Sequence, residues 1–162
     1  MMKNKFGYVL ASYFGVGFFP FASGTAGSLM TLPLVMLAGY YGGTAGILTA
    51  AVLAFGIGVW ATNEVLKTSE NKDPSLVVID ETAGQLMTFV LVGNLLYQSF
   101  DKWYLYIIGF VAFRFFDIIK MGPVRWADSK LHNAWGVMLD DVFAGIFAAV
   151  LLLGIEKYFM AF

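Results

Sequence analysis

Cysteine is missing from the 162-residue chain, and histidine occurs once, as His132. The first absence excludes a disulfide framework and thiolate zinc sites. The second excludes histidine-rich metal centres, and neither fixes the compartment. Charge is scarce as well: charged residues make up 13% of the chain, about half of what a soluble domain carries. That leaves too little polar surface for a fold bathed in water. A formal net charge of −1 gives no dominant footprint for nucleic acid. What is abundant is apolar, with 59% hydrophobic residues, sixteen phenylalanines among the aromatics. Length predicts one domain, residues 1–162, and composition predicts that it is embedded in a membrane.

Apolar runs and their charged interruptions divide the chain. Met1 to Lys5 is short and basic, Phe6 to Phe19 is apolar and Phe21-Ala-Ser-Gly24 is small, an order that resembles a secretory signal. The residues after Phe21 form a motif that makes sense only if retained, so Phe6 to Phe19 is read as an amphipathic or re-entrant piece. Leu29 to Tyr41 and Thr44 to Thr62 are apolar runs joined by the turn signal Tyr41-Gly42-Gly43. The first is short for a span of about 20 residues and either extends back through Gly24 or lies partly re-entrant. Asn63 to Ser75, with Lys67, Glu70, Lys72, Asp73 and Pro74, reads as an aqueous loop. Leu76 to Phe100 is apolar apart from Asp80 and Glu81, and Trp103 to Ile119 is a further span with Arg114 and Asp117 in its last turns. Gly122 to Ala134 is polar, and Leu139 to Phe159 is the last span, opening with Asp140 and Asp141. The expected fold is all-α: a polytopic membrane helical bundle of about four to five spans plus the N-terminal segment. Trp60, Trp103, Trp126 and Trp135 fall near the predicted interfaces, as an aromatic belt would.

Basic residues orient this bundle. With the N-terminus inside, the inner segments hold Lys3, Lys5, Lys67, Lys72, Lys120, Arg125 and Lys130, and the outer ones Lys102 and Lys157. The residues from Gly24 to Ser28, Asp80, Glu81, Arg114, Asp117, Lys120, Asp128, His132, Asp140 and Asp141 then share the inner face. Any one of Asp80, Glu81, Asp140 and Asp141 is explained as a helix N-terminal residue favoured by the macrodipole. Two acidic pairs facing one aqueous layer point instead to a site, because close carboxylates repel unless a cation joins them. Oxygen ligands without cysteine suit a hard divalent ion, Mg²⁺ before Mn²⁺. Neighbouring helical residues point about 100° apart, so one member of each pair binds while the other caps or holds a water; Asp80 and Asp141 are preferred.

Arg114, Asp117 and Lys120 are spaced at three residues, along one helix face. They form either a local ion pair with a snorkelling lysine or a phosphate clamp, to which Arg125 adds charge. Gly24-Thr25-Ala26-Gly27-Ser28 precedes an apolar helix and could offer backbone N–H groups, Thr25 and Ser28 to an anion; it does not match the Walker pattern. Gly84 and Gly145, which follow the acidic pairs, read as close helix packing. Acids, an Arg/Lys set and a Gly/Ser turn are together the parts of metal-assisted phosphoryl chemistry on a substrate whose phosphate lies at the membrane interface.

Several blocks recur in a characteristic order: Gly15-Val-Gly-Phe-Phe-Pro20, Ser23-Gly-Thr-Ala-Gly-Ser28 and Pro33, then Asp80-Glu81 with Gly84. Phe113-Arg114 with Asp117 and Lys120, then Pro123, Asp128 and the run Gly136-Val-Met-Leu-Asp-Asp-Val-Phe-Ala-Gly145 complete the set. In these blocks, from about Tyr13 to Gly154, the chain resembles the phosphatidylglycerophosphatase A family. The resemblance implies a Mg²⁺-dependent phosphoric monoester hydrolase in the bacterial cytoplasmic membrane, its active site facing the cytoplasm. It would convert phosphatidylglycerophosphate to phosphatidylglycerol and inorganic phosphate. The catalytic candidates are Asp80, Glu81, Asp117, Asp140 and Asp141, with Asp80, Glu81, Asp140 and Asp141 as metal ligands. Thr25, Ser28, Arg114, Lys120 and Arg125 are the phosphate-binding candidates, and Asp128 and His132 complete the set, His132 as a general acid. Partners are a phospholipid substrate and the membrane; a homo-oligomer is compatible with the sequence.

Two positions depart from the family pattern. Ser23 stands where many relatives have Pro, and Lys120-Met121-Gly122-Pro123 lacks the first Pro of the usual Lys-Pro-x-Pro, changes of loop stiffness that spare the functional groups. Acid-phosphatase-like lipid phosphatases need two histidines, and CDP-alcohol phosphotransferases a longer aspartate run, neither of which is here. A small cation-coupled membrane transporter is the main alternative, although transport favours ionisable residues near the midplane. An interaction subunit that positions lipid enzymes is a third.

Overall fold

The computed structural model describes residues 4–69, 71 and 74–160. Met1 to Lys3, Glu70, Lys72 and Asp73, which entered the readings of the N-terminus, the orientation and the polar loop, lie outside the described residues. The described chain is helical and has no strands. It runs α1 (Lys5–Ala11), a 3₁₀ turn (Val16–Phe18), α2 (Ser23–Leu66), α3 (Ile79–Phe89) with a 3₁₀ continuation (Val90–Leu95), α4 (Trp103–Ile119), α5 (Pro123–Lys130) and α6 (Ala134–Met160).

Helix α2 reverses at Gly43, whose φ of 54° and ψ of −141° belong to glycine because a Cβ would clash there. Its two arms, residues 23–42 and 44–66, lie against each other: a Cβ on Gly46 would stand 2.4 Å from the Ala38 carbonyl oxygen. Both ends of the hairpin meet the start of α3, with Gly27 beside Val78 and Gly58 beside Ile79, while the reversal packs on Gly93 and Asn94. The Tyr41-Gly42-Gly43 turn is thus present. The second arm, however, continues helically to Leu66 and takes in Asn63, expected in the loop. The polar stretch after α4 also holds a helix, α5, opened by Pro123 at its first turn, where a missing N–H is harmless.

Among the described residues two helices, α2 and α6, are long and apolar enough to cross a membrane. That is fewer than the about four to five spans expected from the sequence, and local geometry explains the difference. The Gly43 reversal joins two apolar runs into one continuous element. The run from Leu76 to Phe100 is not one span, because α3 ends at Phe89 and tightens into a 3₁₀ turn to Leu95. Helix α4 has 17 residues, just under a full span of about 20.

The bundle is apolar outside and buries polar side chains among its apolar core. Leu37, Val52, Ile107, Val111, Ile118 and Val150 are exposed, whereas Thr31, Thr62, Thr82, Gln85 and Thr88 are buried. Only 22% of the apolar window of α2 is buried, unlike a core helix of a soluble protein. Buried hydroxyls turn back onto their own helices: Thr31 donates to the Gly27 carbonyl at 2.8 Å and Thr88 to the Gly84 carbonyl at 3.1 Å, as groups removed from water must. Helix α3 lies at the centre between α2 and α6, and nearly every residue on it is buried.

Candidate active site

The starts of α2, α3 and α6 and the end of α4 converge on a cavity of ≈ 250 Å³ whose wall carries five carboxylates, Asp80, Glu81, Asp117, Asp140 and Asp141. Two cations, Arg114 and Lys120, face them. Glycines permit the convergence. A Cβ on Gly84 would lie 2.5 Å from the Asp141 carbonyl oxygen, and one on Gly145 2.3 Å from that of Gly84. Helices α3 and α6 therefore touch backbone to backbone, which draws the two acidic pairs together. At Gly24 a Cβ would stand 2.0 Å from Glu81 Oε1 and 3.4 Å from Arg114 Nη1, so the first turn of α2 makes room for the carboxylate.

Asp80, Glu81 and Asp141 each offer a carboxylate oxygen within 4.8 Å of the others. Asp80 and Asp141 are only 7% and 4% exposed. Asp80 Oδ1 accepts from the Glu81 N–H and Asp140 Oδ1 from the Asp141 N–H, both at 3.0 Å, so the first acid of each pair is braced by its own helix. The pairs then diverge. Asp140 accepts from Lys120 Nζ at 3.1 Å through its other oxygen, leaving Asp141 to the trio, whereas Asp80 and Glu81 both join it. Glu81, with its extra methylene, bridges the angular gap expected between helical neighbours. Carboxylates this close and this dry repel strongly. Glu81 Oε2 is buried without a donor among the described residues, a costly state that a cation relieves. The three residues could hold a metal ion, and an all-oxygen set suits a hard one.

Opposite the acids, Arg114 Nη1 bonds Asp117 at 2.8 Å and Ser28 Oγ at 3.4 Å, and stands 4.0 Å from Glu81. Its Nε is buried and has no acceptor among the described residues. Lys120 is not on the regular face its spacing suggests. It closes α4 in the left-handed region at φ 49°, its N–H donating to the Phe116 carbonyl at 3.0 Å. Its ammonium nevertheless reaches the cavity and bonds Asp128 and Asp140. Burial disfavours that charge, but the two carboxylates outweigh it and hold the lysine above its ordinary pKa. An unmet donor on Arg114 and an unmet acceptor on Glu81 thus border one cavity, complementary to an anion and a cation bound side by side.

The remaining candidates lie around this centre. Ser28 is buried, donates to the Gly24 carbonyl at 2.9 Å and touches the site through Arg114. Thr25 sits in the first turn of α2 but is not on the cavity wall. Asp128 is exposed and joins through Lys120. Arg125 and His132 are exposed and off the wall. Two residues stand outside the candidate set, Ser23 having counted only as a change of loop stiffness. Ser23 lines the wall, its hydroxyl donating to the Ser75 carbonyl at 2.8 Å. Gln85, one helical turn after Glu81, is fully buried with neither amide atom bonded among the described residues. An amide in an apolar run, four residues after an acid, was the available signal for it.

Fold and site define a helical protein with two helices apolar and long enough to cross a membrane and an acidic, arginine-bearing pocket at one end of its bundle. The family model for phosphatidylglycerophosphatase A matches residues 9–156. A phosphatidylglycerophosphatase A of Escherichia coli K12 is 32% identical over 93% of this chain and 83% of its own length. Its Haemophilus influenzae Rd namesake is 31% identical over 94% and 90%. A Bacteroides thetaiotaomicron protein, provisionally named a phosphatidylinositol-3-phosphatase, is 39% identical over 89% of both chains. No solved structure matches the chain. The chain belongs to the phosphatidylglycerophosphatase A family, which places it among lipid phosphatases.

Proposed function

We propose that the protein hydrolyses phosphatidylglycerophosphate to phosphatidylglycerol and inorganic phosphate, with Mg²⁺ held by Asp80, Glu81 and Asp141. The observation behind this reading is the trio of carboxylate oxygens within 4.8 Å, next to the unpaired Arg114 Nε. Arg114, Ser28 and Lys120 receive the phosphate oxygens. Asp117 fixes the guanidinium, and Asp140 and Asp128 fix the ammonium. Asp140 is also a fourth candidate ligand. A water oxygen joins phosphorus, the P–O bond to the glycerol breaks, and a proton ends on the released glycerol oxygen. A bound divalent ion supplies a more acidic water and neutralises phosphate charge. Thr25, Arg125 and His132, away from the cavity wall, have no direct part in this scheme.

The protein sits as a multi-pass protein of the bacterial cytoplasmic membrane with this site toward the cytoplasm. Each arm of α2 is about the length of one crossing, ~30 Å, and α4 and α6 supply further passes. The cavity end bears Lys5, Lys67, Lys120, Arg125 and Lys130, against Lys102 and Lys157 at the other end, which supports the orientation. The test is phosphate release from phosphatidylglycerophosphate by purified protein in detergent micelles with Mg²⁺. Release should stop with EDTA and return with added Mg²⁺; phosphatidic acid and phosphatidylinositol 3-phosphate serve as comparison substrates. No release from any of them by folded protein would revive the transporter, and release that ignores EDTA would remove the metal.

A further inference from the structure

Beside the charged cavity runs a second, quite different hollow. It has a volume of ≈ 450 Å³ and is walled by Phe18, Phe19 and Pro20 on one side and by Ala26, Leu29 and Met30 of α2 on the other. The geometry points to an acyl-chain subsite: this groove holds one fatty-acyl chain of the lipid whose phosphate occupies the cavity. The inference rests on the lipid phosphatase reading and adds where the apolar part of the substrate lies.

The walls are preformed. Tyr13, Phe14 and Gly15 all have positive φ, at 47°, 57° and 100°. The Phe14 N–H donates to the Val9 carbonyl at 2.8 Å and the Gly17 N–H to the Ser12 carbonyl at 2.9 Å. Gly17 is pressed so closely on Leu76 that a Cβ there would stand 1.9 Å from its carbonyl oxygen. A backbone bent this far from ordinary conformations persists because its surroundings hold it, so Phe18 to Pro20 face α2 from a fixed support.

One face of α2 links the groove to the cavity. Ala22 and Ser23 line the charged wall, and Ser23, Ala26 and Met30 follow at i, i+3 and i+7 on one helix face. That stripe leads from the cavity rim to the groove over ~10 Å, comparable to the head-group layer of one leaflet, ~5–8 Å. The occupant is a hydrocarbon chain and not a peptide. The six walls named above present no polar side chain, and a peptide laid there would leave its amides without partners.

The experiment compares phosphate release from dioleoyl and dihexanoyl phosphatidylglycerophosphate by the wild type and by Ala26→Phe, which fills the groove. The ratio of kcat/KM for the long-chain over the short-chain substrate is expected to fall about tenfold. An unchanged ratio, including an equal loss on both substrates, overturns the subsite. Photolabelling of wild-type protein with a lipid phosphate monoester bearing a diazirine in its acyl chain needs no folded variant. Label on residues 15–30 supports the groove, and label confined to other apolar helix faces or to a contact between two copies of the chain overturns it. A wild type that takes the label there but releases no phosphate from either substrate defeats the phosphatase reading and leaves the groove standing.

Discussion

Buried acids lie at both ends of the bundle, and they are wired differently. At the far end Glu156, 2% exposed, bonds Lys102 through one oxygen and accepts from the Tyr104 hydroxyl at 2.8 Å through the other. Every oxygen there has a partner. At the cavity end five carboxylates meet two basic side chains on the wall, and Glu81 Oε2 is left without a donor among the described residues. A satisfied buried acid holds α4 to α6. Crowded carboxylates, one of them with a buried oxygen unmet among the described residues, oppose folding, and such a local conflict is the mark of a functional site. The lone acid is a fastening, the cluster a receptacle.

The comparison can be broken most decisively at the trio. Asp80→Asn or Asp141→Asn is expected to lower phosphate release by ~10³-fold or more. The melting temperature in detergent should hold or rise as repulsion is relieved. A parallel loss of stability would make these acids fastenings too. Next comes Gly24→Ala, whose Cβ would meet Glu81 Oε1 at 2.0 Å; displacing that carboxylate should cost ~10–100-fold in kcat with an almost unchanged melt. At the other end the pattern inverts. Glu156→Gln should lose about 1–2 kcal/mol in an unfolding titration while keeping its kcat, and a fall in kcat would draw the far end into the catalytic machinery. Smallest is His132→Ala, which should change the rate by less than about twofold; a ~10²-fold loss would reinstate it as the general acid.

How much of this was legible differs from element to element. The hairpin at Gly43 was announced by Tyr41-Gly42-Gly43 and the flanking apolar runs. Gly84 and Gly145 pack helices together, as their positions after the acids imply. The break of Leu76 to Phe100 at Phe89 was not legible, because a run this apolar has the composition of a span whether or not it stays α-helical. Nor was the left-handed Lys120: three-residue spacing implied a shared helix face, and the helix ends one residue too soon.

By itself the sequence determined the helical class, the apolar exterior and the gathering of acids at helix ends, since composition and periodicity act locally along the chain. The tertiary structure decided which acids meet. The backbone contacts of Gly84 with α6, and of Gly24 with Glu81, join residues far apart in sequence. They select Asp80, Glu81 and Asp141 for one point, hand Asp140 to Lys120, and leave Arg125 and His132 outside. Electrostatic repulsion gives each acid a reason to avoid the others, so nothing in their local order foretells the trio. The interlocking glycines between helices set that distance.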